Sequence, residues 1–150
     1  MIPKKILVCT DFSDNSLAAR QCATEWAQAF GAGLAILHVV NSRFFGYPAF
    51  TDRVPVEMAL IQKNIEEGVE EELESIANEC RKDLLNVQAH SRAGSPAEEI
   101  IRFAEEESVD LIIMGTHGWT GVNHLILGST AENVVRRANC PVLSVRSKAS

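Results

Sequence analysis

Apolar residues are distributed along this chain in two ways: short unbroken runs, and longer stretches in which they recur every three or four positions. Ile6-Leu7-Val8-Cys9 is an unbroken run that stops at the polar cluster Thr10-Asp11-Phe12-Ser13-Asp14, the pattern of a strand buried on both faces. Leu17, Ala18, Cys22, Trp26 and Ala29 then mark the inward stripe of a helix, with Ser13 or Asp14 as N-cap and Gly31 as its end. Leu34 to Val40 predicts a second buried strand. Between 41 and 56 Gly46, Pro48 and Pro55 interrupt any period, which predicts a loop. From Glu57 to Cys80 apolar residues at 58, 61, 65, 69, 73, 76 and 80 define one face of a long helix, and Glu66, Glu67, Glu70, Glu71, Glu72 and Glu74 give it an acidic, solvated opposite face.

Asn86 to His90 makes a third, more polar strand. Gly94-Ser95-Pro96-Ala97-Glu98 then spells a helix start, with Ser95 and Glu98 at capping-box spacing and Pro96 in the first helical position. Ile100, Ile101 and Ala104 supply that helix with a buried stripe. Val109 to Met114 is a buried strand ending at Gly115, and a long loop leads from it to Gly128. Ser129 to Ala138 reads as a helix with Val134 and Val135 inward, Pro141 to Val145 as a last strand, and 146 to 150 as a frayed tail.

Strands and helices therefore alternate, which predicts one α/β domain: an open five-stranded parallel sheet covered by helices on both faces. Right-handed crossovers leave few windings, and the order 3-2-1-4-5 is expected. That order sets strands 1 and 4 side by side where the winding reverses, the place at which open α/β sheets bind ligands. Thr10-Asp11 and Gly115-Thr116-His117-Gly118 leave those two strand ends.

The 150 residues carry 20 Asp plus Glu against 14 Lys plus Arg, a formal net charge of -6, which argues against a nucleic-acid partner because phosphate-backbone binding relies on a positive field. No apolar run approaches the roughly 20 residues of a membrane-spanning helix, and Met1 to Lys5 leads into the first strand without a signal-peptide core. Cys9, Cys22, Cys80 and Cys140 show no CxxC spacing and are read as small buried hydrophobes in a reducing cytoplasm. There is no GxxxxGK[ST] phosphate loop, Gly31-Ala32-Gly33 precedes a strand and so has the wrong context for a dinucleotide fingerprint, and the four histidines lack the companions of a metal site.

The main chemical signal is Gly115-Thr116-His117-Gly118, nine residues, then Gly128-Ser129-Thr130 at a predicted helix start. Glycines bring backbone N–H groups close to an anion, and a helix N-terminus adds unpaired donors and a favourable dipole. Ser129 and Thr130 add hydroxyls, and His117 can contact a phosphate. The same glycines can equally serve to shape a connection and a cap. Asp11 can accept from ribose hydroxyls or approach a phosphate-bound Mg²⁺, or it can simply cap the first helix. Val39 can meet an adenine edge or be core. Phe44, Phe45, Tyr47 and Phe50 in the 41–56 loop fold back on the sheet edge, or form a lid or a partner-facing patch.

Ile6 to Ser13, Leu37-His38-Val39-Val40, Gly94 to Ile100, Asp110 to Gly118, Gly128-Ser129-Thr130-Ala131-Glu132 and Cys140-Pro141-Val142-Leu143 together resemble a universal stress protein domain, from Lys5 to about Val145. The resemblance implies a Rossmann-like fold of the adenine nucleotide alpha-hydrolase type and a homodimer through the last strand, at Val142, Leu143 and Val145. Gly115, Gly118, Gly128 and Ser129 reproduce the Gly-x2-Gly-x9-Gly-[Ser/Thr] spacing of the family's ATP-binding branch. It further implies that Thr10 and Asp11 face the ribose, Val39 the adenine, and Met114, Gly115, His117 and Gly118 the phosphate path. Gly128, Ser129 and Thr130 would hold the phosphates, with Ala131 close by where some relatives carry a hydroxyl residue.

The resulting expectation is a cytoplasmic module in which ATP, or AMP or ADP, with Mg²⁺ where phosphates are present, controls association with a protein partner in a stress response. Catalysis is expected to be weak or absent, because no positioned base or arginine finger accompanies the phosphates. The alternatives are a slow ATPase or phosphotransferase completed by a partner, and a nucleotide-free dimeric scaffold.

Overall fold

The computed structural model describes residues 1–42, 56–117 and 127–147. Within them the elements alternate as β1 (Lys5–Cys9), α1 (Asp14–Phe30), β2 (Gly33–Asn41), α2 (Val56–Cys80), β3 (Val87–Gly94), α3 (Pro96–Glu106), β4 (Leu111–Gly115), α4 (Ser129–Arg137) and β5 (Val142–Val145). The sheet runs β3-β2-β1-β4-β5 with every neighbouring pair parallel, as the alternation predicts. Residues 43–55, which hold the aromatic loop, and Gly118 lie outside the described residues.

Because side chains alternate across a strand, the sheet makes two apolar layers. Ile6, Val8, Leu34, Ile36, Leu111 and Ile113 face α1 and α2. Leu7, Ala35, Leu37, Ile112 and Met114 face α3 and α4. Both faces of the central strands are thus buried, which is why those strands read as unbroken apolar runs.

The helices differ from expectation in which faces they bury. In α1 the buried residues are Ser16, Ala19, Ala23 and Ala27, while Leu17 and Trp26 are each 39% exposed. Small side chains let the helix lie close to the sheet, and the larger apolar residues are left at its flank, Trp26 meeting Phe30 edge-on at 5.7 Å. In α2 only Leu73, Ile76, Ala77 and Cys80 are buried, and the amino-terminal half leaves Met58, Leu60, Ile61 and Ile65 exposed. In α3 the inward aromatic is Phe103, and Ile101 is half-buried. In α4 Val134 is buried but Val135 is exposed.

Caps follow the sequence more closely. Ser13 is the N-cap of α1, its side chain accepting from the Ser16 amide, and Gly31 ends the helix in the left-handed conformation at φ 66°. Ser95 precedes α3 with Pro96 in the first turn, but its side chain makes no capping bond, so the expected box is absent. β3 extends four residues beyond the expected His90 because it is an edge strand, whose outer positions tolerate Ser91 and Arg92. The four cysteines are free thiols, Cys80 buried and the others partly so. No helix among the described residues is long and apolar enough to cross a membrane.

Candidate functional site

β1 and β4 are neighbours, Val8 opposite Ile113, and the winding reverses between them. The turn leaving β1 is tightly tied. Thr10 N–H donates to the Leu37 carbonyl at 2.9 Å, and the Thr10 hydroxyl accepts from the Phe12 amide and lies 3.1 Å from the Ser16 hydroxyl. Asp11 Oδ1 accepts from the Ser13 amide at 2.9 Å and from the Ser13 hydroxyl. This carboxylate therefore braces the Ser13 N-cap and does not itself cap α1, and the same residue lines the cavity described next.

A cavity of about 230 Å³ opens at the carboxyl ends of β1 and β4. Its apolar wall is Cys9, Leu37, Val39, Pro96, Ile100 and Met114. Its polar wall is Thr10, Asp11, Ser16, Thr116, His117, Ser129 and Thr130, with Gly115, Gly128 and Ala131 completing it. Among the described lining residues Asp11 is the carboxylate, and there is no Lys or Arg.

Two connections bring the amino end of α4 to this wall. Thr116 N–H donates to the Val145 carbonyl at 3.1 Å, and Gly128 N–H donates to the Thr116 carbonyl at 2.7 Å. The first bond inside the helix runs from the Glu132 amide to the Gly128 carbonyl. The amides of Ser129, Thr130 and Ala131 thus precede the helical ladder, which makes this end a donor-rich, positive pole. Gly115 allows a close approach, since a Cβ there would lie 3.1 Å from the Asn15 carbonyl in the first turn of α1, tighter than most Cβ contacts.

The residues singled out from the sequence converge here. Thr10, Asp11, Val39, Met114, Gly115, His117, Gly128, Ser129, Thr130 and Ala131 all line the cavity, from four separate stretches of chain. The reading missed Cys9, Ser16, Leu37, Pro96, Ile100 and Thr116. Leu37 was legible from strand alternation, two positions before Val39; Pro96 and Ile100 were read only as a helix start and its core stripe.

Two titratable groups in the wall are chemically distinct. Burial pushes the Cys9 thiol up to about 12, so it is no nucleophile at neutral pH. His117 Nδ1 is 2.9 Å from the Thr116 hydroxyl, and its Nε2 is buried without a hydrogen-bond partner among the described residues, a state that is costly unless some other group satisfies it. Among the described residues no group of three His, Cys, Asp or Glu is placed to hold a metal ion.

Fold and cavity together define an open, doubly wound α/β protein with a cavity at the switch point of the sheet, the place where such sheets bind ligands. The chain belongs to the universal stress protein family, whose profile matches residues 3–146. It is 38% identical over 144 residues to universal stress protein MJ0531 of Methanocaldococcus jannaschii, an alignment that covers 95% of this chain and 82% of that one. The solved structure of MJ0577, from the same archaeon, superposes with a TM-score of 0.86 at 33% identity over 100% of both chains. Two further structures share the fold. A universal stress protein in complex with cAMP gives a TM-score of 0.72 at 23% identity over 99% of this chain and 100% of that one. The universal stress protein of Archaeoglobus fulgidus in complex with dAMP gives 0.64 at 24% over 96% and 98%.

Proposed function

We propose that this protein binds an adenine nucleotide, ATP foremost, in the switch-point cavity, and that occupancy regulates its association with a partner. The single observation that carries the reading is the build of that cavity. An apolar slot between β2, α3 and β4 suits a purine, Asp11 stands at the polar end of β1 where it can accept from ribose hydroxyls, and the amino end of α4 offers Ser129, Thr130 and the first helical amides to phosphate. The buried Nε2 of His117 supplies one more group for a phosphate oxygen to satisfy.

Among the described residues the cavity wall carries no Lys or Arg to neutralise a triphosphate's charge, so Mg²⁺ carried by the nucleotide would do so, near the Asp11 carboxylate. Relatives of the same fold were solved with cAMP and dAMP, which favours adenine, the base common to both, as a determinant. The reading includes a cytoplasmic homodimer paired through β5, whose Val142, Leu143 and Val145 are half-buried and whose outer edge is unpaired among the described residues.

Calorimetric titration with ATP and Mg²⁺, followed by competition with AMP, tests the proposal. Saturable binding with one site per chain is expected. No heat at millimolar ATP would sink it and leave the scaffold reading.

A further inference from the structure

We infer that His38 is a positioning residue for the ribose end of the cavity, acting with Phe12 as a clamp on the Thr10-Asp11 turn; this rests on the adenine-nucleotide reading above. His38 Nδ1 lies 2.8 Å from the Thr10 carbonyl and, facing an acceptor, donates to it. The Thr10 carbonyl is the backbone group directly before Asp11, so this bond fixes the peptide from which the Asp11 side chain springs. It continues the β1–β2 ladder beyond the Thr10 to Leu37 bond, with a side chain in place of the backbone.

The second half of the clamp is a ring contact. Phe12 has φ 64°, in the left-handed region that a bulky residue without local hydrogen-bonding capacity adopts only at a cost. Its ring lies 4.5 Å from that of His38, tilted by 32°, and its amide donates to the Thr10 hydroxyl. The one imidazole thus holds both sides of Asp11: the carbonyl before it by a hydrogen bond, the residue after it by stacking. His38 itself does not line the cavity. Its effect reaches a ligand only through the geometry of Thr10 and Asp11.

Two variants separate the two roles of the ring. His38→Asn places an amide N–H close to where Nδ1 stands but has no ring, and His38→Phe keeps a ring against Phe12 but has no donor. Each is titrated with ATP and with 2′,3′-dideoxy-ATP, in the wild-type and Asp11→Ala backgrounds. If the hydrogen bond positions Asp11, His38→Phe weakens ATP binding about fivefold, the worth of one such bond, and His38→Asn stays within about twofold. Dideoxy-ATP is affected by neither, and the His38→Phe effect disappears once Asp11 is alanine. Equal loss for ATP and dideoxy-ATP, or a loss that persists without Asp11, overturns the positioning role in favour of a merely structural one. Wild-type binding of ATP with unchanged His38→Phe affinity overturns this inference alone, whereas failure of the wild type to bind ATP overturns the nucleotide reading and the inference with it.

Discussion

The Gly128 amide donates to the Thr116 carbonyl at 2.7 Å, and a Cβ on Gly128 would stand 3.0 Å from that same oxygen. The glycine is what lets the start of α4 close against the end of β4, and so what brings the Ser129 and Thr130 donors into the cavity wall. Gly128→Val forces these backbones apart. The expected result is at least a tenfold loss of ATP affinity by calorimetry, with a cost of about 1–3 kcal/mol in thermal unfolding, because Ala131 and Val134 still anchor the helix in the core. Unchanged affinity would show that the amino end of α4 is not the phosphate seat.

The two halves of α2 predict opposite mutational responses. Ile76 is 5% exposed in the core beside Leu73 and Ala77, whereas Ile61 is 55% exposed on the same helix. Ile76→Ala should destabilise by about 2–4 kcal/mol through lost burial and a residual cavity, and Ile61→Ala by no more than about 0.5 kcal/mol. Urea denaturation of both variants checks the contrast. Comparable losses at the two positions would mean that the amino-terminal half is packed against something in solution.

These cases also mark what sequence patterning can and cannot reach. Periodicity located each strand, because a parallel sheet buried on both faces writes itself as runs such as Leu111 to Met114, and the sheet order followed from the alternation with helices and the handedness of the crossovers. It did not separate the buried from the exposed half of α2, since Ile61 and Ile76 lie on one continuous apolar stripe and only the reach of β3 and β2 decides which part is covered. It misplaced the inward face of α1 because hydropathy favours Leu17 and Trp26, while close approach to the sheet favours Ala19, Ala23 and Ala27. The glycine and hydroxyl positions of the cavity were legible because their chemistry is unusual. Pro96 and Ile100 were not read as lining, because their functional and core roles look alike in a sequence.

Acid should weaken the fold through His90. Its ring packs 4.9 Å from Phe103, its Nε2 is buried without a hydrogen-bond partner among the described residues, and burial holds its pKa below the ordinary imidazole value, with Lys5 and Arg92 acting in the same direction and Glu107 against it. The folded state therefore prefers the neutral ring. This contribution is fully present above the unfolded value near 6.5 and is lost as pH falls through it toward the lower folded value. Glu107, held below its usual range by the Lys5 hydrogen bond, contributes stability that is fully present above about pH 4.5 and is lost as pH falls below it. Denaturation midpoints followed from pH 8 to pH 5 should decline in the wild type and decline less in His90→Gln. Identical slopes would remove His90 as the source.

The outer edge of β5, unpaired among the described residues, offers the sharpest test of assembly. Ile112 N–H donates to the Pro141 carbonyl and Thr116 N–H to the Val145 carbonyl, at 3.0 and 3.1 Å. In a parallel ladder alternate residues turn their amides to the same side, so residues 141, 143 and 145 bond to β4 while the backbone groups of Val142 and Ser144 face outward. Ser144→Pro removes an outward donor and leaves the β4 ladder intact, at an exposed position where a proline is tolerated on an edge strand. If two copies pair through β5, sedimentation should show Ser144→Pro as a folded monomer. Leu143→Glu, which sets a charge at the half-buried seam, should give the same monomer or an insoluble chain. A wild-type sedimentation profile for folded Ser144→Pro would assign the association to another face.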